Sequence, residues 1–142
     1  MFTTRLKEAP FNTRPMSPVD TDDEGCIWFF SDKSSNKNRE ITQNSNVQLY
    51  FSNNSSYEFL TIYGDAEVIL NRKKLEELWN PIVKVWFTEG KDDPNLSLIK
   101  VTPKHSYYWD TRHNRMVSLI KMLTSIATGK TMDDGVEGEL KV

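Results

Sequence analysis

Arg14, Ser31, Ser35, Asn36 and Lys37 are side chains of the types that hold a phosphate monoester. Such a group wants a fixed fork of N–H donors from arginine, a point charge from lysine, and neutral donors for its remaining lone pairs. An arginine on one strand, hydroxyls at the end of the next and a lysine one turn later can converge on a single phosphate. A helix beginning after Ser35 would add the backbone N–H groups of its first turn. The same residues also suit a solvated hairpin with ordinary Ser/Asn caps, because polar clusters of this kind are common turn chemistry. Spacing alone leaves both readings open.

Positioning these groups requires strands on either side and a short helix between them. Met1 to Leu6 reads as a strand that ends before Pro10. Asn12 to Val19 carries Pro15 and Pro18, which restricts it to an edge, a bulge or a strand end. Thr21 to Gly25 is a turn cluster, and Cys26 to Phe30 a short aromatic strand. Residues from Ser31 to Asn38 offer caps for a helix running to about Gln43. Val47 to Phe51 and Tyr57 to Leu70 read as strands around the loop Ser52–Ser56, with Gly64 marking a bulge. The period then changes to that of a helix over Arg72 to Trp79, followed by a second short helix from Pro81 to about Trp86. Asp92 to Asn95 is a turn, and Leu96 to Val101 begins a strand that Tyr107 to Trp109 continues past Pro103. Met116 to Ala127 is amphipathic, and 132–142 is a polar stretch expected to be a flexible tail. Strands at short spacing before any substantial helix predict an antiparallel barrel or sandwich. A chain of 142 residues without an interdomain linker suits a single domain.

Composition narrows the functional classes. Hydrophobic residues at 37% and charged residues at 27% give a globular balance. Aromatics at 11%, four Trp among them, favour strands and flat ligand surfaces. A formal charge of −2 provides no field to recruit nucleic acid or an anionic membrane. No apolar run approaches the roughly 20 residues of a membrane span, and the charged N-terminus does not read as a signal peptide. One cysteine, Cys26, offers neither an internal disulfide nor a Cys-based zinc site, so the reading is a cytoplasmic protein with an inert buried thiol. No metal, P-loop or triad signature occurs. His105 and His113 read as surface or strand-end residues, and Asp92 and Asp93 as turn residues rather than metal ligands. Trp79, Trp86 and Phe87 read as core or subunit-interface residues first, and as ligand cover second.

Arg14-Pro15-Met16 precedes Ile27-Trp28-Phe29-Phe30-Ser31, and Lys37, Glu40 and Ile41 follow. Then come Gly64-Asp65-Ala66-Glu67-Val68, Leu78-Trp79-Asn80-Pro81 with Trp86-Phe87, Asp92-Asp93-Pro94-Asn95-Leu96, and Tyr108-Trp109-Asp110. In this order and spacing, from about residue 2 to residue 130, the chain resembles the general stress proteins related to pyridoxamine 5′-phosphate oxidase. The resemblance implies a mainly β split barrel of about six antiparallel strands with flanking helices, and a homodimer with flavin mononucleotide (FMN) at the interface. It implies that Arg14 grips the FMN phosphate and that Pro15 and Met16 pass the ring system. Phe30 and Ser31 fall near the ribityl phosphate. Ser35, Asn36 and Lys37 match a Ser-Arg-Lys stretch of the oxidases, with Asn36 replacing the arginine. Trp109 matches a tryptophan beside the flavin, reaching it across the dimer. The phosphate site reads one part of the cofactor only, so FAD and a deazaflavin stay open beside FMN.

The oxidases hold their substrate with an Arg-x-His pair, where this chain reads Arg115-Met116-Val117. The stretch Trp79 to Lys91 likewise lacks their Tyr/Arg/Ser pattern. Pyridoxamine 5′-phosphate oxidase activity is therefore not expected. The expected function is a flavin-dependent oxidoreductase with a small-molecule electron donor or acceptor, the flavin carrying the chemistry and no catalytic side chain identified. The alternatives are a non-catalytic flavin carrier or stress sensor, and a barrel that has lost its cofactor and serves as an interaction module.

Overall fold

The structure is a computed structural model that describes residues 1–87, 89–109 and 138–141. Among these residues, eight strands form one antiparallel sheet: β1 (Phe2–Thr4), β2 (Asn12–Arg14), β3 (Asp20–Thr21), β4 (Ile27–Asp32), β5 (Asn46–Asn53), β6 (Glu58–Ile69), β7 (Leu96–Trp109) and β8 (Gly138–Lys141). Helix α1 (Asn36–Gln43) joins β4 to β5, and α2 (Arg72–Leu78) follows β6. Two 3-10 turns, Pro81–Val85 and Gly90–Asp92, complete the connection to β7. The strand order is β2-β1-β5-β6-β7-β4-β3, with β8 also on β7.

The mainly β antiparallel architecture is as expected, with more strands than six. The Pro-bearing segment Asn12 to Val19 yields only the short strand β2, and β3 follows it, taking in Thr21 from the expected turn; the two strands stand at the two ends of the sheet order, where proline's missing donor costs least. The stretch expected to be a flexible polar tail includes β8. Backbone pairing needs no apolar pattern, and β7 offers an edge there: along β7 the pairing with β4 stops at Val101, opposite Ile27, and that with β8 starts at His105, opposite Lys141. Pro103 falls in this gap. The amphipathic segment Met116 to Ala127, together with His113 and Arg115, lies outside the described residues.

β4 and the first half of β7 bury both faces. Ile27, Phe29, Ile99 and Val101 join Phe2, Val47, Leu49, Phe51, Leu60 and Ile62 in the main core. Their alternate neighbours Trp28, Leu96 and Leu98 meet Leu75, Val83 and Phe87 in a second cluster under α2 and the 3-10 turns. Period-2 alternation thus splits one strand pair between two cores. Trp79 packs partly into the second cluster, whereas Trp86 is 77% exposed.

The long β6–β7 pairing contains one irregularity. Gly64 faces Pro103 but Tyr63 faces His105, so the extra residue is Lys104 on β7. The bulge expected at Gly64 is therefore present, with the inserted residue on the partner strand. Glycine is needed opposite it, since a Cβ on Gly64 would overlap the Thr102 carbonyl oxygen. Lys104 pairs with Asp65 at 2.5 Å. The insertion reverses the faces of β7: Ile99 and Val101 point to the main core before it, Ser106 and Tyr108 point inward after it. The displaced row His105, Tyr107 and Trp109 turns outward beside Tyr63, Phe59 and, on β5, Tyr50. Among these, Tyr50, Phe59, Tyr107 and Trp109 are all exposed.

No helix among the described residues is long and apolar enough to cross a membrane.

Candidate functional site

The polar segment after β4 forms α1, and Ser35 is its N-cap: its hydroxyl accepts from the Asn38 backbone N–H. The helix is seated by a buried network. Ser31 Oγ donates to Asn38 Oδ1 at 2.7 Å, Asn38 Nδ2 donates to Ser97 Oγ at 3.0 Å, and Ser97 Oγ donates to the Ser31 carbonyl at 2.8 Å. Ser31 and Ser97 are cross-strand partners in β4 and β7. The sheet therefore fixes where the first turn of α1 points.

That turn faces β2 across an open pocket of about 530 Å³, lined by Phe11, Asn12, Thr13, Arg14, Ser35, Asn36, Lys37 and Glu40. Of the expected site residues, the fold brings Arg14, Ser35, Asn36 and Lys37 to this pocket, and Ser31 reaches it through Lys37. Lys37 Nζ donates to Ser31 Oγ at 2.5 Å and to Ser35 Oγ at 3.1 Å. Burial pushes the Lys37 ammonium below the ordinary lysine value, and the positive charge of Arg14 pushes in the same direction; Asp32 opposes both. Two like charges that feel each other, with no carboxylate among the described residues bonded to Lys37, suit an anion.

Arg14 donates from Nη1 to Thr4 Oγ1 at 2.9 Å and from Nη2 to Glu40 Oε2 at 3.0 Å. Among the described residues its remaining N–H groups have no partner, and the residue lines the pocket. Asn36 presents a neutral amide, which also accepts from Arg39. Because an α-helix leaves its first N–H groups without intrahelical partners, the start of α1 adds donors and the positive end of its dipole. The set is a candidate anion site with one carboxylate, Glu40, at its edge.

The other expected residues lie elsewhere. Phe30 points to the opposite face of β4 from Ser31 and stacks edge-on against Trp79 at 5.8 Å. Strand alternation requires this once Ser31 faces the pocket side. Met16 packs against the main core, Pro15 is exposed, and Trp109 is half exposed at the end of β7 opposite Phe59. None of the four lines the pocket. Cys26 is buried, and Asp93 accepts from the Asn95 N–H as a turn residue. No cluster of metal-ligating side chains occurs among the described residues. Sequence reasoning did not assign Phe11, Asn12 or Glu40 to the site. The available signal was helical spacing, since Glu40 follows Lys37 by three residues and so shares its side of α1.

Residues 1–133 match the family described as pyridoxamine 5′-phosphate oxidase like. The chain belongs to that family. General stress protein 26 of Bacillus subtilis is 26% identical over 96 residues, covering 66% of this chain and 68% of its own. A general stress protein 26 structure from Jannaschia sp. CCS1 is 25% identical and superposes with a TM-score of 0.71, covering 100% of this chain and 88% of its own. The crystal structure of a general stress FMN/FAD binding protein from Xanthomonas citri is 27% identical with a TM-score of 0.68, covering 82% and 83% of the two chains.

Proposed function

We propose that the chain is a flavin-dependent oxidoreductase that binds FMN by its phosphate between β2 and α1 and works as a homodimer. The observation that carries this reading is the convergence of Arg14 and Lys37, from separate elements, on one pocket at the start of a helix. The donor set fits a phosphate ester: a partly committed guanidinium, an ammonium, a hydroxyl, and backbone N–H groups. The FMN/FAD binding relative from Xanthomonas citri supports a flavin. When bound, the flavin would supply the electron transfer. The residues described here would hold its phosphate and fix its direction from the pocket. The outward aromatic row of β5, β6 and β7 supports a second copy as the partner, since a continuous exposed apolar patch marks an interaction surface. Trp109 would then meet the flavin held by the other subunit.

The purified protein is expected to be yellow, to sediment as a dimer, and to release FMN on denaturation. A colourless monomer that takes up no added flavin would overturn the reading. A non-catalytic flavin carrier or stress sensor is the second reading. It is favoured by the pocket lining, whose one candidate base, Glu40, is committed to three hydrogen bonds. Turnover of bound flavin by a reductant and an acceptor separates the two.

Lys37 makes the binding pH-dependent. Its free-state pKa lies below the ordinary lysine value, so the ammonium is lost at lower pH than for a typical lysine (about 10.4). FMN affinity is expected to fall as pH rises through that depressed value. Lys37→Arg, which stays charged, should flatten the fall. Titrations of both proteins between neutral and alkaline pH check this; identical pH profiles would remove Lys37 from the site.

A further inference from the structure

Glu40 puts a negative charge on the rim of a pocket read as an anion site. On charge alone it should weaken binding there, and its bonds point the other way. Its side chain is 13% exposed. Oε2 accepts from Thr4 Oγ1 at 2.5 Å and from Arg14 Nη2 at 3.0 Å, while Oε1 accepts from Asn12 Nδ2 at 2.5 Å. Thr4 Oγ1 in turn accepts from Arg14 Nη1 at 2.9 Å, which closes a ring of Arg14, Thr4 and Glu40. The three donors come from β1 and β2, and the acceptor from α1. Burial disfavours the charged carboxylate, but the hydrogen bonds from Thr4, Asn12 and Arg14 together outweigh it and hold the group below its ordinary value.

An unassisted guanidinium at this place would sample many rotamers, and the N-terminal strands would touch the start of α1 only through packing. With Glu40 in place, two edges of the Arg14 fork are pinned and the remaining donors are left for a ligand. The same carboxylate ties both halves of the pocket together, since β2 carries Arg14, and α1 with its N-cap carries Ser35, Asn36 and Lys37.

We propose that Glu40 is a positioning residue for the ligand phosphate: it aims Arg14 and sets the gap between β2 and the first turn of α1. This rests on the flavin-phosphate reading given above. It predicts an effect confined to the phosphate end of the ligand and exerted through Arg14.

The test is a set of binding titrations with FMN and with riboflavin, the same ring system without the phosphate, on the full chain. Glu40→Gln keeps the shape and is the deciding variant; Glu40→Ala removes all three bonds. Glu40→Gln should weaken FMN by about ten-fold while changing riboflavin by less than about two-fold, and Glu40→Ala should weaken FMN further. In the double variant Arg14→Ala/Glu40→Gln, FMN binding should be no weaker than in Arg14→Ala alone, because the second change has nothing left to aim. If either Glu40 variant binds FMN as tightly as the parent or tighter, the carboxylate competes with the phosphate and the proposal is wrong. Equal weakening of FMN and riboflavin, or losses that add in the double variant, would show a general structural role and also overturn it. If the parent protein binds FMN no better than riboflavin, or Arg14→Ala changes nothing, the phosphate pocket itself is misassigned and the role of Glu40 falls with it. An effect of Arg14→Ala without one of Glu40→Gln refutes the positioning role alone.

Discussion

Arg14→Ala should weaken FMN binding by about one to two decades, which corresponds to losing roughly 1.5–3 kcal/mol of charged hydrogen bonding. Riboflavin affinity should change far less, because the side chain faces the pocket of phosphate-binding donors. The size of the effect comes from the partial enclosure of Arg14, whose side chain is 24% exposed. A fully solvated arginine at the same distance would be screened and worth much less. The substitution also strips Glu40 of its cationic partner. In the parent, the Glu40 carboxyl is held below its ordinary value, so its contribution to stability is present above the unfolded carboxyl value of about 4.3 and disappears as pH falls through the folded one. Without Arg14 that window closes at a higher pH. Calorimetric titration with both ligands, and acid unfolding followed by circular dichroism, check the two halves. Unchanged FMN affinity would place the phosphate elsewhere.

The largest effect on stability is expected at a residue with no chemistry. Gly64→Ala should cost about 3 kcal/mol or more and lower the melting temperature by on the order of 10 °C. The added methyl would overlap the Thr102 carbonyl oxygen and press on the Thr102 carbonyl carbon at 3.0 Å and Pro103 Cα at 3.2 Å. All three are backbone atoms of the neighbouring strand, so no rotamer change relieves them. The strands must separate, and β6–β7 is the pairing that carries both cores. A thermal melt within about 2 °C of the parent would mean that the two backbones do not approach this closely.

Much of this was legible in the sequence, for reasons that differ from element to element. The cap of α1 was readable because Ser35 and Asn38 are local partners, three residues apart. The strand Cys26 to Phe30 was readable because both its faces are buried, which leaves an unbroken apolar run. Gly64 announced an irregularity because few other reasons place glycine inside a long strand. Arg14 and Lys37 were legible as phosphate-binding types, but their convergence depends on the pairing of β1 with β5 and on the seating of α1 by Ser97, 59 residues from Asn38. No local pattern encodes such distances. The resemblance to the oxidases supplied that step. Phe30 illustrates the limit. Its neighbour in sequence, Ser31, faces the pocket side, so Phe30 belongs to the opposite core, and a motif read as a contiguous block obscures the alternation within it. Glu40 was hidden for another reason: a carboxylate is not what one looks for around a phosphate.

The extra residue at Lys104 has a consequence for how β7 tolerates change. The strand behaves as two messages printed in different frames. Upstream of position 104 the odd-numbered residues serve the main interior, and downstream of it the even-numbered ones do. A rule learned on one half misassigns the other. Positions 99 and 101 refuse a polar residue, whereas the odd positions 105, 107 and 109 accept one. The outward-facing half can therefore drift toward new contacts without disturbing the half that pairs with β4, which keeps the anchor of α1 in place.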